Sequence, residues 1–148
     1  MLEQRFDTAA NAARQAYEAA TSKESVAENK YDTFGLEASY LAHGQSQRVL
    51  DCENDLKRFL AMEFKSFQAD DPIEMGALVG LMDESGKSLT CFISPCAGGQ
   101  TFNDEAESGM LITPSSPLGK SIMGSLLEDE IKVSIGSDVK FYEITYLA

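Results

Sequence analysis

Ile112-Thr113-Pro114-Ser115-Ser116-Pro117-Leu118-Gly119-Lys120-Ser121-Ile122-Met123-Gly124 is the stretch on which the fold turns. Met110, Leu111 and Ile112 form a short apolar run that reads as a strand, and Pro114 stops it. Ser116 is placed to accept from the first free N–H groups of a helix, and Pro117 fits the first helical position, where no N–H is needed. Gly124 can end that helix. One short helix is therefore set among strands.

Working outward, the flanks are β-rich. Ile131–Ile135 and Val139–Ile144 form a natural hairpin around Gly136-Ser137-Asp138. Upstream, Ala77–Met82 closes at the turn Asp83-Glu84-Ser85-Gly86, and Leu89–Ile93 closes at Pro95. Gly98-Gly99 marks a further turn. The half from Pro72 onward is expected to be an antiparallel sheet with one short helix. Gln68-Ala69-Asp70-Asp71-Pro72, polar and ended by proline, suits a boundary, giving domains at 1–67 and 72–148.

The first half changes period. Leu2, Phe6, Ala9, Ala13, Ala16 and Ala20 alternate steps of four and three, the rhythm of a coiled-coil seam. Ala38, Ala42, Gln45, Val49, Cys52, Leu56 and Phe59 form a second such series. The expected structure is an antiparallel helical hairpin. Its turn can fall at Thr21–Ser25 or at Asp32-Thr33-Phe34-Gly35. The second position gives arms of nearly equal length, each about 30 residues or ~45 Å, and is preferred. The fold class is thus α+β, a helical hairpin followed by a sheet domain.

Composition narrows the function. The net charge is −12, with 12 acidic and 8 basic residues over 1–70 and 12 and 4 over 71–148. Such a chain lacks the clustered Lys and Arg that direct phosphate-backbone binding requires. No apolar run suits a membrane span and no signal peptide is visible, so a cytoplasmic location is expected. A monomer is expected separately. Cys52, Cys91 and Cys96 match no zinc spacing, and with His43 the sole histidine they read as buried reduced thiols.

The stretch from Ile112 to Gly124 resembles the C-terminal signature of the Gre transcript-cleavage factors, which runs roughly I-[ST]-P-x-S-P-[IL]-G-[RK]-A-L-[IL]-G. Asp129-Glu130-Ile131-Lys132-Val133 looks like the family's D-x-V-x-V strand, and Phe141-Tyr142-Glu143-Ile144 like its closing Y-E-I strand. The three matches follow one another in the family's order. The first half offers a weaker match to D-[LM]-x-E-N-x-E-Y at the family's hairpin tip, with Tyr40, Ala42 and Gln47 fitting the continuation. In this register the family's aspartate falls on Thr33 and its glutamate on Leu36, while carboxylates stand one place outward at Asp32 and Glu37. A rival register uses Glu28-Asn29 as the Glu-Asn pair.

The resemblance implies an FKBP-like C-terminal domain that docks on RNA polymerase beside its secondary channel, and a hairpin that enters the channel. Tip carboxylates would help hold a Mg²⁺ at the polymerase active site and promote cleavage of backtracked RNA. The protein would then be no enzyme itself, and RNA would be met only through the polymerase. Asp32 and Glu37 are the expected catalytic and metal-holding residues, with Glu28 in reserve, because Mg²⁺ takes hard oxygen ligands. Ser116, Pro117, Leu118 and Gly119 are candidates for partner binding as well as cap and first helical turn. Against these stand a solvated turn that only keeps the tip soluble, and a channel-bound regulator that does not promote cleavage. A prolyl isomerase is a further option for an FKBP-like domain, but the chain has no tryptophan and no identifiable aromatic pocket.

Overall fold

A computed structural model describes residues 1–22, 33–103 and 108–148. It divides into two compact units, Met1–Lys57 and Arg58–Ala148.

In the first unit, α1 spans Leu2–Thr21, and α2, which starts here and runs past the unit's end, spans Phe34–Leu60. Arg5 near the start of α1 pairs with Asp55 near the end of α2 at 3.6 Å, so the helices run antiparallel. The two seams read from sequence are the faces that bury. Leu2, Ala9 and Ala16 are buried on α1, with Phe6, Ala13 and Ala20 half-buried between them. On α2 Cys52 is buried, and Ala38, Ala42, Gln45, Val49, Leu56 and Phe59 are half-buried among mostly exposed neighbours. Burial at every third or fourth residue is what a narrow apolar stripe on a 3.6-residue helix requires. Gln45 is the polar member of the seam, and its Oε1 is buried without a hydrogen-bond partner among the described residues.

The described helices have 20 and 27 residues, and Gly35 lies inside α2 rather than in a turn; residues 23–32, on which the length of the arms depends, lie outside the described residues. Local chemistry accounts for both ends. Thr21 Oγ1 donates to Tyr17 O at 2.9 Å and Ser22 Oγ to Ala19 O at 3.2 Å, so hydroxyls take up carbonyls where α1 stops. Ser22 then turns extended, with ψ 151°. At the other end Thr33 O accepts from Glu37 N at 2.9 Å and starts the α2 ladder. Glycine in the first turn of a helix interrupts no established ladder, so Gly35 is tolerated there.

In the second unit six strands and one helix follow: β1 Leu78–Asp83, β2 Ser88–Ile93, β3 Thr101–Asn103, β4 Ser108–Ile112, α3 Pro117–Ile122, β5 Glu130–Ile135 and β6 Asp138–Leu147. The sheet order is β3-β4-β2-β1-β6-β5. It is mixed, not purely antiparallel. Four pairings are antiparallel, but β2 and β4 run parallel, with Cys91, Phe92 and Ile93 opposite Met110, Leu111 and Ile112. The cause is β3, which sequence reading missed. After β2 the chain crosses to the sheet edge, runs back as three residues of β3, and returns antiparallel to them as β4.

Strand alternation sorts the two sheet faces. Val79, Leu81, Cys91, Ile93, Val133 and Ile144 point to one side and, with Ile73, Ala77 and Ile122 of α3, form the core. Each fully buried Ile or Leu contributes about 1.5–3 kcal/mol. Phe92 points to the other side, where its ring meets those of Phe59 and Phe64 at centroid distances of 6.0 and 6.5 Å. Phe67 is buried in the same core. The division between compact units therefore falls earlier in the chain than the 67/72 boundary expected from composition.

The β1–β2 turn is held by one carboxylate. Asp83 Oδ1 accepts from Ser85 Oγ at 2.6 Å, Ser85 N at 2.9 Å and Lys87 N at 2.9 Å. The Ser85 hydroxyl, followed by the Lys87 amide, holds the Asp83 carboxyl below the ordinary aspartate value of 3.8. A carboxyl with a depressed folded-state pKa stabilises the fold above its unfolded value, and that stabilisation is lost as pH falls through the folded value. Acidification below pH 3.8 is thus expected to lower the protection factors of the Ser85 and Lys87 amides, relative to their intrinsic exchange rates at that pH, before the core strands loosen, as hydrogen exchange followed by NMR would report.

Candidate functional site

Two elements carry the residues singled out from sequence, one in each compact unit. The first is the start of α2. Glu37 lies in its first turn and is exposed. Its Oε1 accepts from Thr33 Oγ1 at 2.9 Å, a bond across one helical turn that fixes the carboxylate's direction. A negative charge in a first turn is also favoured by the helix dipole. A carboxylate offers about four lone-pair sites, so one hydrogen bond leaves capacity for a further hard ligand. Glu37 therefore fits a magnesium-type site chemically. Asp32 and Glu28 lie outside the described residues. Among the described residues no three His, Cys, Asp or Glu side chains converge as a metal site.

Thr33 is the residue that sequence reading passed over. It stands where the family resemblance expects an aspartate, and its hydroxyl is the partner that orients Glu37. The four-residue spacing between the two was the available signal.

The second element is the turn into α3. Ser116 is the N-cap, at φ −68° and ψ 157°, and its Oγ accepts from Gly119 N at 3.0 Å. The same hydroxyl donates to Thr113 O at 2.8 Å. Pro117 occupies the first helical position and is exposed; Leu118 is half-buried against the core. Gly119 is buried, and a Cβ placed on it would stand 2.0 Å from Thr113 O. The chain crosses itself here so closely that only glycine fits. Ser121 Oγ then donates to Lys132 O at 2.9 Å and ties α3 to β5. Ser116 and Gly119 thus shape the turn, while Pro117 is the member that faces solvent.

The three cysteines are buried and form no disulfide among the described residues, in line with the sequence reading. Burial pushes Cys91 up to about 11, which keeps it protonated and unreactive near neutral pH. No described helix is long and apolar enough to cross a membrane.

No family model matches the chain. Curated relatives do. A protein named transcription elongation factor GreA from Zymomonas mobilis subsp. mobilis is 35% identical over 103 residues, covering 69% of this chain and 61% of that protein. Its namesake from Sphingopyxis alaskensis is 34% identical over 103 residues, with the same two shares. A third, from Novosphingobium aromaticivorans, is 36% identical over 95 residues, 64% of this chain and 55% of that protein. The chain thus spans less than two thirds of the length of the curated relatives it matches. Among solved structures, GreA factor homolog 1 (Gfh1) of Thermus thermophilus aligns over 99% of this chain and 92% of its own, at 18% identity and a TM-score of 0.43. The GreA/GreB elongation factor of Nitrosomonas europaea aligns over 67% and 93%, at 18% identity and a TM-score of 0.37. With these sequence relatives added to the three motifs that follow one another between Ile112 and Ile144, the chain belongs to the Gre-type family of transcription elongation factors.

Proposed function

We infer that the chain is a transcription elongation factor whose partner is RNA polymerase. In this reading the C-terminal unit docks beside the polymerase secondary channel, and the α1–α2 arms enter it. Carboxylates at the far end of the arms promote hydrolysis of backtracked RNA by the polymerase itself, so the protein acts as a cytoplasmic monomeric cofactor and not as an enzyme. The observation that carries the reading is an exposed, oriented carboxylate, Glu37, at the start of one of two antiparallel helices, in a chain of this family.

Asp32 and Glu37 are the residues that would hold a Mg²⁺ shared with the polymerase, with Glu28 in reserve. Such an ion supplies a nucleophile by lowering the pKa of bound water. The chain's own contribution is positional. The helix start aims Glu37, the Thr33 hydroxyl restricts its rotamers, and a long seam of small residues keeps the arm narrow. Presenting a fixed oxygen removes orientational freedom that a carboxylate in solution would retain.

One observation favours a second reading, a channel-bound regulator without cleavage activity. Thr33 stands where the family resemblance expects an aspartate, and its hydroxyl engages the neighbouring carboxylate. Both readings require polymerase binding. A labelled chain added to core RNA polymerase is expected to bind saturably and to be displaced by an established Gre factor. Absence of binding at micromolar concentrations of both would remove both readings.

A further inference from the structure

At the base of the arms, between the first two turns of α1 and the later part of α2, lies an open cavity of about 210 Å³. Met1, Gln4, Arg5 and Thr8 line it from α1, and Arg48 and Cys52 from α2. These positions repeat every three or four residues, so each helix offers one face. The cavity's charge opposes that of the whole protein. Two arginines and, among the described residues, no Asp or Glu line it, in a chain of net charge −12.

Arg5 is incompletely satisfied. Its Nη1 is buried and has no hydrogen-bond partner among the described residues. The Asp55 carboxylate that pairs with it stands at 3.6 Å, close enough for attraction and too far for a hydrogen bond. A buried N–H without an acceptor is costly, and the cost is greater for a charged group. Nη1 itself is closed to solvent, so an oxygen in the cavity would meet the other guanidinium nitrogens of Arg5. Thr8 does not compete for that oxygen, because its hydroxyl proton goes to Gln4 O at 2.7 Å.

We propose that this cavity binds a small phosphate-type oxyanion, held between Arg5 of α1 and Arg48 of α2. Guanidinium groups match phosphate oxygens with paired, charge-assisted hydrogen bonds. A water takes about 30 Å³ of liquid volume, so the cavity has room for one or two phosphate groups while the rest of a larger ligand stays in solvent. A ligand bound to both helices would tie the base of the arms together.

The test uses the whole chain, titrated with inorganic phosphate, pyrophosphate and a nucleoside diphosphate against sodium chloride of matched ionic strength. Amide NMR and hydrogen exchange report on residues 2–8 and 46–52. Saturable shifts with pyrophosphate, slowed exchange in both segments and no matching response to chloride are expected. Equal affinity for pyrophosphate and the nucleoside diphosphate would mark the phosphate group as the recognised part, and tighter binding of the nucleotide would assign the site to a phosphate carried on a metabolite. Arg48→Gln, at an exposed position, should weaken binding about tenfold or more with an unchanged helical spectrum. Arg5→Lys keeps a charge near Asp55 but loses the planar fork, and should weaken it as well. Shifts equal to those in chloride, affinity unaltered in Arg48→Gln, or binding of single-stranded RNA with none of pyrophosphate would each overturn the proposal.

Discussion

Gly119→Ala is expected to destabilise the C-terminal unit by about 1–3 kcal/mol or more and to lower its thermal midpoint by roughly 4–20 °C. The added Cβ would meet Thr113 O at 2.0 Å, Thr113 C at 2.9 Å and Ser116 Oγ at 3.0 Å. Two of these are backbone atoms and cannot rotate away. Relief requires opening the turn, which breaks the Gly119 N to Ser116 Oγ cap bond, worth about 0.5–2 kcal/mol on its own. It also shifts Ile122, fully buried one turn later, out of register with the core. Gly44→Ala is the matched control. Gly44 lies in the interior of α2, and a Cβ there meets nothing within 4 Å. Alanine should instead stabilise by about 0.5–1 kcal/mol through helix propensity. Thermal unfolding of the two variants should move in opposite directions. A Gly119→Ala chain as stable as the parent would show that the turn is not closed as described.

The second large effect concerns the end of the arms. Asp32→Ala combined with Glu37→Ala is expected to reduce stimulated cleavage of backtracked RNA by about 10–100-fold, the scale seen when groups supporting a metal are removed. Polymerase binding should stay within a few-fold, since Glu37 is exposed and belongs to the first compact unit, apart from Ser116–Gly119. Thr33→Asp separates the two functional readings. It replaces the hydroxyl donor to Glu37 by a carboxylate at the position where the family resemblance expects one. Under the cleavage reading the parent chain is already active, and this variant, which loses the bond that orients Glu37, lowers the rate. Under the regulator reading the parent is inactive, and Thr33→Asp gains activity. Cleavage rates measured on one stalled complex with the three proteins distinguish these cases.

The sheet domain was legible because its signals are local. Ser116, Pro117 and Gly124 mark a helix by capping chemistry alone, and α3 spans Pro117–Ile122 as they require. The β5–β6 hairpin likewise follows from alternation around Gly136. The parallel β2–β4 pair was not legible, because it depends on the three-residue edge strand β3, too short to show a period. The heptad seams gave the buried faces of both helices but not their ends. Equal arm length favours a turn at Gly35, whereas Gly35 lies within α2, and Thr21 and Ser22 end α1 through side-chain bonds to its own carbonyls. At the candidate site the residue types are legible in the sequence and the Thr33–Glu37 bond is not, since that bond depends on rotamers that spacing alone does not fix.

Purified RNA polymerase stalled in a backtracked complex, supplied with Mg²⁺ and with or without this protein, gives the most direct measurement. Cleavage of the 3′ segment of the transcript is expected to accelerate with protein concentration and saturate, and to fall back toward the unstimulated rate with the Asp32→Ala, Glu37→Ala chain. An unchanged cleavage rate at a concentration that saturates the polymerase would contradict the central claim.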